Sequence, residues 1–483
     1  MRNKLDIAAA RDGVSDHLQR KWNDACDRYL PVIDDDSIWR YNRPGNKKDP
    51  DQGWKLHISA TILNAPAILN RIAPVLSDCG VQFKAPRSLN DVLKLNSGLL
   101  GSYSQVGKII TVYPRNDGEL RKLARVLHQL TYRFRAPSVP FDLRYNQTSN
   151  IYYRYGAFKR RELERDGSVL PAMISAQGEL VPDVRENPKP DWVCDPFQDR
   201  RTTAKVRKRN APRNNSFRVL RALVQRGKGG VYQAIDFEST PPRLCLLKEG
   251  RRYGEINWDG RDGAWRVRHE ERVLTQLSRS GIVVPKVYAR FAVEGSVYLA
   301  TEYIDGESLQ TLLLRQKRRL SINSILSFGI DIATLIAQMH RAGWAWRDCK
   351  PGNLIVNGDG RLVPIDFEGA ERIDRPDSML WGTRGFVPLA SCEKPGHHGL
   401  TDDLYALGSV LFLLITGQVF AEAKPLSIAK LRHNVPVELR QLVSSLLDGN
   451  PARRPSAQNV HFRLAFILHR HSQTKRLTKA QAA

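Results

Sequence analysis

The sequence predicts an α+β protein in two halves: a mixed α+β domain over residues 1–184 and, beyond a basic connector at 185–215, a strand-rich lobe at 216–306 followed by a helical lobe at 307–470. Three observations carry this. At 483 residues the chain exceeds a single core, since cores stop growing at roughly 250 to 300 residues. The first half alternates strand-like and helix-like runs, whereas the second places its strands first and its helices after them. Between them, RENPKPDWVCDPFQDRRTTAKVRKRNAPRNN is rich in Pro, Arg, Lys and Asn and has no apolar period, as a connector would.

In chain order, the β-branched runs KLHISA (55–60), KIITVY (108–113) and NIYYRYGAF (150–158) predict strands. ATILNAPAILNRIAPVL (60–76) and GELRKLARVLHQLTYRF (118–134) predict helices between them. In the second half strands dominate 218–302 and helices follow from about 308, with no internal repeat. The last segment, 471–483, reads as a frayed basic tail. The apolar run from Leu404 to Phe420 is interrupted by Gly408 and Gly417 and reads as a buried helix, so no membrane span is expected.

Charge and cysteine usage narrow the partners. Lys and Arg number 75 against 50 Asp and Glu, a net charge of +25, which favours anionic ligands such as nucleotides, phosphopeptides or acidic peptides. No aromatic-rich nucleic-acid signature accompanies the charge, and nucleic acid is not the expected partner. The six cysteines form no CxxC pair, which argues against a zinc module or a disulfide framework; with no signal-peptide core at the N-terminus, a cytoplasmic location is expected.

The second half carries a phosphoryl-transfer constellation. Transfer of a phosphoryl group needs a base for the hydroxyl, metal-holding Asp and Asn, and a Lys on the phosphates. Trp346-Arg347-Asp348-Cys349-Lys350-Pro351-Gly352-Asn353 has the D-x-K-P-x-N spacing of Ser/Thr kinase catalytic loops. Asp348 is the expected base, Lys350 steadies the transferring group and Asn353 holds a metal ion. Thirteen residues on, the apolar strand before Asp366 marks the second metal-binding Asp. Lys248 ends the strand-like Leu244-Cys245-Leu246-Leu247 and is the expected phosphate-pairing Lys, with Glu270 as its ion-pair partner and adjacent Glu271 as the rival. Gly227, Gly229 and Gly230 offer backbone to cover the phosphates; Lys228 among them reads equally as a solvated loop lysine. Gly382–Pro388, Asp403 and Asn450–Pro455 resemble the substrate-facing loop, the scaffold helix and the closing motif of the same bilobal protein-kinase fold. ATP or GTP with Mg2+ is the implied cofactor.

Departures from that pattern are local. Trp346 replaces the His that usually precedes Arg-Asp, and Glu368 replaces the Gly that usually follows Asp-Phe, which should stiffen the metal loop. No Ala-Pro-Glu follows Thr383, although Glu393 lies nearby.

In the first half Lys55 and His57 are two apart on a predicted strand and so share a face, and Lys84, Lys108, Tyr113, Arg115, Arg144 and Arg154 follow. Such a set suits loss of phosphate by elimination: cations hold the leaving group, a Lys of lowered pKa takes a Cα proton, and the His protonates the departing oxygen. A plainer reading makes them the solvent face of an edge strand and surface charge.

GWKLHISA (53–60), GKIITVYPR (107–115), YYRYGAF (152–158), VCDPF (193–197) and PIDFEGA (364–370) resemble the N-terminal lyase and central kinase domains of class III and class IV lanthipeptide synthetases, over most of the chain. The lyase part is similar in turn to bacterial effector phosphothreonine lyases. The resemblance implies an N-terminal lyase-like domain with Lys84 as general base and His57 as general acid. It makes Lys55, Arg144 and Arg154 phosphate grips and sets Tyr113 near the reacting carbon, while Lys108 and Arg115 transfer less firmly. It implies phosphorylation of Ser and Thr in a ribosomal precursor peptide, then elimination to dehydroalanine and dehydrobutyrine. The family's members end in a ring-closing domain that this chain does not show, so ring closure is expected to fall to a separate cyclase, to proceed spontaneously, or not to be needed for a product that is only dehydrated; the +25 charge suits an acidic leader. The competing readings are a signalling Ser/Thr kinase whose first domain binds phosphopeptides or partners without catalysis, and a pseudokinase scaffold; joint retention of Lys248, Asp348, Asn353 and Asp366 argues against the scaffold.

Overall fold

A computed structural model describes residues 4–100, 102–198, 216–316, 319–376, 381–393, 399–422 and 427–481. The first half is a seven-stranded sheet with helices packed on it. Its strands are β1 (Val32–Ile33), β2 (Trp39–Tyr41), β3 (Gln52–Ile58), β4 (Gln82–Pro86), β5 (Ile110–Tyr113), β6 (Leu143–Arg144) and β7 (Ile151–Ala157), ordered β1-β2-β4-β5-β3-β7-β6 with every pairing antiparallel. Helices α1 (Lys4–Tyr29), α2 (Ala65–Asp78), α3 (Leu89–Ser97) and α4 (Asp117–Thr131) complete the domain. The strand runs and both helices expected from the sequence are present; the long N-terminal α1 was not anticipated. α3 begins at a Ser88 cap whose side chain accepts from Asp91 N, and ends at Gly98 in the left-handed conformation (φ 73°).

Alternation along the strands separates core from site. Leu56, Phe83, Val112 and Tyr153 share one face and are fully buried against Ile68, Leu69, Ile72, Leu123 and Leu127. The next residues, Lys55, His57, Lys84, Thr111, Tyr113 and Arg154, therefore share the opposite face. Register aligns them: Lys84 and His57 both oppose Thr111, and Lys55 opposes Arg154. A three-stranded ribbon, β8 (Glu162–Arg165), β9 (Ser168–Ile174) and β10 (Leu180–Pro182), rises beside that face.

The chain after β10 corrects the connector's expected start at 185. Residues up to 198 lie along the first domain: Tyr155 N donates to Pro188 O, the Tyr153 hydroxyl donates to Asp195 Oδ1, and Phe197 is 4% exposed between Tyr145 and Tyr153. Residues 199–215 of that stretch lie outside the described residues.

The second half opens with a five-stranded antiparallel sheet, β11 (Phe217–Arg226), β12 (Gly229–Asp236), β13 (Arg243–Arg251), β14 (Val287–Val293) and β15 (Ser296–Glu302), in the order β11-β12-β13-β15-β14. Helix α5 (Gly263–Arg279) packs on it. A helical lobe follows, centred on the helices Ile322–Arg341, Leu400–Thr416, Val437–Leu446 and Ala457–Gln481. The last of these runs through Gln481, so the expected frayed tail at 471–483 is helical over its described backbone. The helix Leu400–Thr416 is buried almost throughout, as expected. Among the described residues one helix, Ile322–Arg341, is long and apolar enough to cross a membrane, and it packs into the helical lobe.

Candidate active sites

The site in the second half is assembled from both lobes. β13 carries Lys248 and α5 carries Glu270, and Lys248 Nζ lies 2.6 Å from Glu270 Oε1 and 3.3 Å from Asp366 Oδ1. Glu271, the rival, points to Arg290 at 2.6 Å. Burial would lower the Lys248 pKa, but the Asp366, Glu270 and Glu368 carboxylates together hold it above its ordinary value. Asp366 is pushed up by burial, yet Lys248, Lys228 and Lys350 bring it well below the carboxylate range, so it is ionised and suited to a divalent cation.

Asp348 sits at the centre of a polar triangle. Lys350 Nζ donates to its Oδ2 at 2.7 Å and to the Thr383 hydroxyl at 2.9 Å, and that hydroxyl donates to Asp348 Oδ1 at 2.9 Å. Asn353 Nδ2 donates to the Asp348 carbonyl (2.9 Å) and carboxylate (3.0 Å), leaving Oδ1 as the atom to offer a metal. Burial is the main cause raising the Asp348 pKa, which makes it a stronger proton acceptor than a solvated Asp. Asp403 fixes the loop from below, accepting from the backbone N–H of Trp346 (2.9 Å) and Arg347 (2.7 Å).

Both departures from the pattern have structural roles. Trp346 stacks on Phe367 at 5.6 Å and donates its indole N–H to Asp366 O at 3.2 Å. Glu368 is ion-paired with Lys228 of the glycine loop, so Lys228 is no free loop lysine. Phe367 N donates to Glu270 Oε1 at 3.1 Å. The metal loop is thus tied to the catalytic loop, the glycine loop and α5 at once.

The first-half site is a cavity of about 510 Å³ lined by Lys55, His57, Lys84, Lys108, Tyr113 and Arg154, six of the eight residues singled out in the sequence. Burial lowers the Lys55 pKa to about 7 and the Lys84 pKa to about 8, with neighbouring cations adding to it, so both amines approach neutrality near physiological pH. Lys84 Nζ lies 4.1 Å from the centroid of Trp39 and 5.7 Å from that of Tyr41. His57 is lowered to about 4 by burial, although Asp142 pulls the other way.

Asp142 is what the sequence reading missed. Its carboxylate bridges His57 Nδ1 at 2.5 Å and Lys108 Nζ at 2.7 Å, with its side chain fully enclosed. Burial raises its pKa, but His57 and Lys108 outweigh this and bring it to about 2. It comes from the loop before β6, where a lone Asp gave no signal. Asp183, also missed, pairs with Arg154 at 2.5 Å, and Arg185 lines the cavity.

Two expected phosphate grips lie outside the cavity lining. Arg115 follows the end of β5 and is captured by Glu119 one helical turn on, with Nη2 also donating to Cys79 O. Arg144 shares the row of His57, but two strands and so roughly 10 Å away at the sheet edge, where it is exposed over the Tyr152 ring and donates to Ser149 O.

With this geometry in place, the similarities to known proteins follow it closely. Residues 31–209 match the family model "RamC, N-terminal domain", and residues 229–463 match "Protein kinase domain". The chain is 31% identical over 396 residues (78% of its length) to the probable SapB synthase of Streptomyces coelicolor. It is 27% identical over 255 residues (50%) to serine/threonine-protein kinase PknA of Nostoc, and 28% over 218 residues (42%) to serine/threonine-protein kinase C of Synechocystis. The chain spans 41%, 44% and 40% of those proteins' own lengths. The kinase expectation and the two-part resemblance are borne out at the level of domains, and a kinase domain implies ATP with a divalent metal.

Proposed function

Because the chain joins a RamC N-terminal domain to a protein kinase domain, we propose that it dehydrates Ser and Thr of a precursor peptide in two steps, phosphorylation and then elimination. The observation that carries this is the convergence of Lys55, His57, Lys84, Lys108 and Arg154 on one open cavity in the same chain as a complete kinase constellation.

In the first step Asp348 accepts the proton of the peptide hydroxyl while Lys350 and Lys248 hold the phosphates; Asp366 and Asn353 would hold Mg2+, whose charge neutralises the phosphate oxygens. In the second step Arg154, Lys55 and Lys108 hold the phosphate dianion. Neutral Lys84 takes the Cα proton, the Cα–Cβ double bond forms, the Cβ–O bond breaks, and His57 gives its proton to the departing oxygen. The depressed pKa of His57 belongs to the unliganded site. A dianion beside it favours the protonated ring, so the substrate itself supplies the charge that makes His57 an acid. The net change per residue is loss of water, with ATP or GTP converted to the diphosphate and inorganic phosphate.

The similarity to Ser/Thr kinases favours a second reading, a kinase that leaves its phosphate in place. Intact mass of Ser/Thr peptides after incubation with nucleotide and magnesium separates the two. Dehydration requires loss of one water per site in wild type, retained phosphate in Lys84→Ala and no change in Asp348→Ala. Phosphate retained by wild type would leave the kinase alone.

A further inference from the structure

The glycine loop of the kinase is seated on the first domain. Gly227 N donates to Ser97 O at 3.0 Å, at the C-terminal end of α3, and a Cβ at Gly227 would stand 1.6 Å from Asn96 O. No side chain fits there, so the two backbones meet directly. From the other side the loop is closed by the segment joining β13 to α5. Arg251 N donates to Lys228 O at 2.7 Å, and a Cβ at Gly263 would stand 1.8 Å from that same carbonyl. This segment is itself anchored on the first domain: Ile256 and Trp258 pack against its core, and the Arg251 guanidinium lies 4.5 Å from the Tyr103 ring centroid while bidentate on Glu249.

The segment connects the strand bearing Lys248 to the helix bearing Glu270. One seam with the first domain therefore touches the phosphate-covering loop and the hinge of the Lys248–Glu270 pair. The seam is also adjacent to the first domain's own site. Asn96, 2% exposed, donates to Ala60 O beyond β3 and accepts from Gly107 N, the neighbour of Lys108.

We propose that the first domain is a positioning element of the kinase: Asn96, Ser97 and Tyr103 hold the glycine loop and the 251–263 segment in the nucleotide-covering arrangement. Nucleotide affinity then depends on a surface of the first domain that touches neither nucleotide nor peptide. Glycine loops covering phosphates gain affinity from being held in place beforehand, because ordering them on binding subtracts from it. The inference rests on nucleotide use by the kinase domain and is independent of whether the first domain eliminates phosphate.

The test uses the full chain with Mg-ADP as probe, titrated calorimetrically, and inorganic phosphate as a separate probe of the first-domain cavity. Tyr103→Ala and Trp258→Ala should weaken Mg-ADP about tenfold, and Tyr103→Phe and Trp258→Phe should restore it, since a ring is what the seam uses. In turnover the KM for ATP rises while the KM for peptide stays. Should Trp258→Ala fail to fold, Tyr103→Ala, which deletes a single ring at the seam, decides the matter alone. Mg-ADP binding within twofold of wild type in the Ala variants overturns the proposal, as does an equal loss of ADP and phosphate, which marks general destabilisation. Wild type that binds no nucleotide at all overturns the kinase reading instead.

Discussion

Replacing Asp142 by Asn changes few atoms and removes one enclosed charge. Its two oxygens are committed to His57 Nδ1 and Lys108 Nζ, and its side chain has no exposed surface. Asn retains one acceptor oxygen and presents an amide N–H₂ to the other partner, so either the imidazole or the ammonium loses its acceptor. Removing one partner of a buried ion pair costs about 3 to 5 kcal/mol, because the remaining charge stays buried. Part of that cost falls on stability and part on the site. His57 also loses a carboxylate that holds its pKa up, so less of it is protonated when substrate arrives. General acid–base catalysis is worth about 10² to 10⁴, and elimination from a pre-phosphorylated peptide should fall by at least about 10² in kcat. Phosphate release from that peptide is the assay, with phosphorylation of unmodified peptide as internal control; Asp142→Asn should accumulate phosphopeptide. Elimination within about threefold of wild type, with an unchanged pH profile, would refute the argued role of Asp142.

Other outcomes follow from the same geometry. With His57 held protonated by the bound phosphate dianion, elimination kcat should rise with pH as Lys84 loses its proton, because the base must be neutral; a kcat flat from pH 6 to 10 excludes Lys84. Lys55 and Lys84 have folded-state pKa values of about 7 and about 8, below their unfolded value of 10.5. The unfolded chain therefore binds more protons across that window, and thermal stability of the first domain should fall as pH drops from 10 toward 7. Inorganic phosphate should reverse part of this loss by raising the melting temperature. Lys248→Met should abolish phosphorylation while sparing elimination from pre-phosphorylated peptide; parallel loss of both would show that the two sites are not separable. Arg144→Ala and Arg115→Ala, both outside the cavity, should leave elimination within about twofold, since exposed pairs contribute little.

The kinase residues were legible because their spacing is local. Asp348, Lys350 and Asn353 lie within six positions, and Asp366 follows the strand Leu362–Pro364 that pairs with the strand after them, so the chain itself presents the catalytic and metal loops. Glu270 over Glu271 followed from helical phase alone. The first-domain site was legible only along its strands, where period two forces Lys55 and His57 onto one face. Asp183, Trp39 and Tyr41 reach the cavity from a ribbon end and a strand three places away from β3, Asp142 backs its His57 and Lys108 from a loop, and no spacing links them to the lysines. Arg115 misled because a cation after a basic strand looks like a ligand. Glu119, four residues on, was the sign that it was already taken. The connector misled because polar composition hid two anchors, Asp195 and Phe197, that need partners from β7 and beyond.

Those anchors bear on how the protein can be cut or recombined. Phe197 fills a recess between the rings of Tyr145 and Tyr153, 5.2 and 4.9 Å away, some forty residues downstream of the strand it stabilises. A fragment ending at residue 184 would carry all six cavity-lining residues picked out from the sequence and still lose this plug. Vacating such a recess costs about 3 to 5 kcal/mol, comparable to the whole margin of a small domain. Chimeras that exchange first domains among relatives should therefore carry the sequence through at least residue 198, so that each sheet arrives with its own tether.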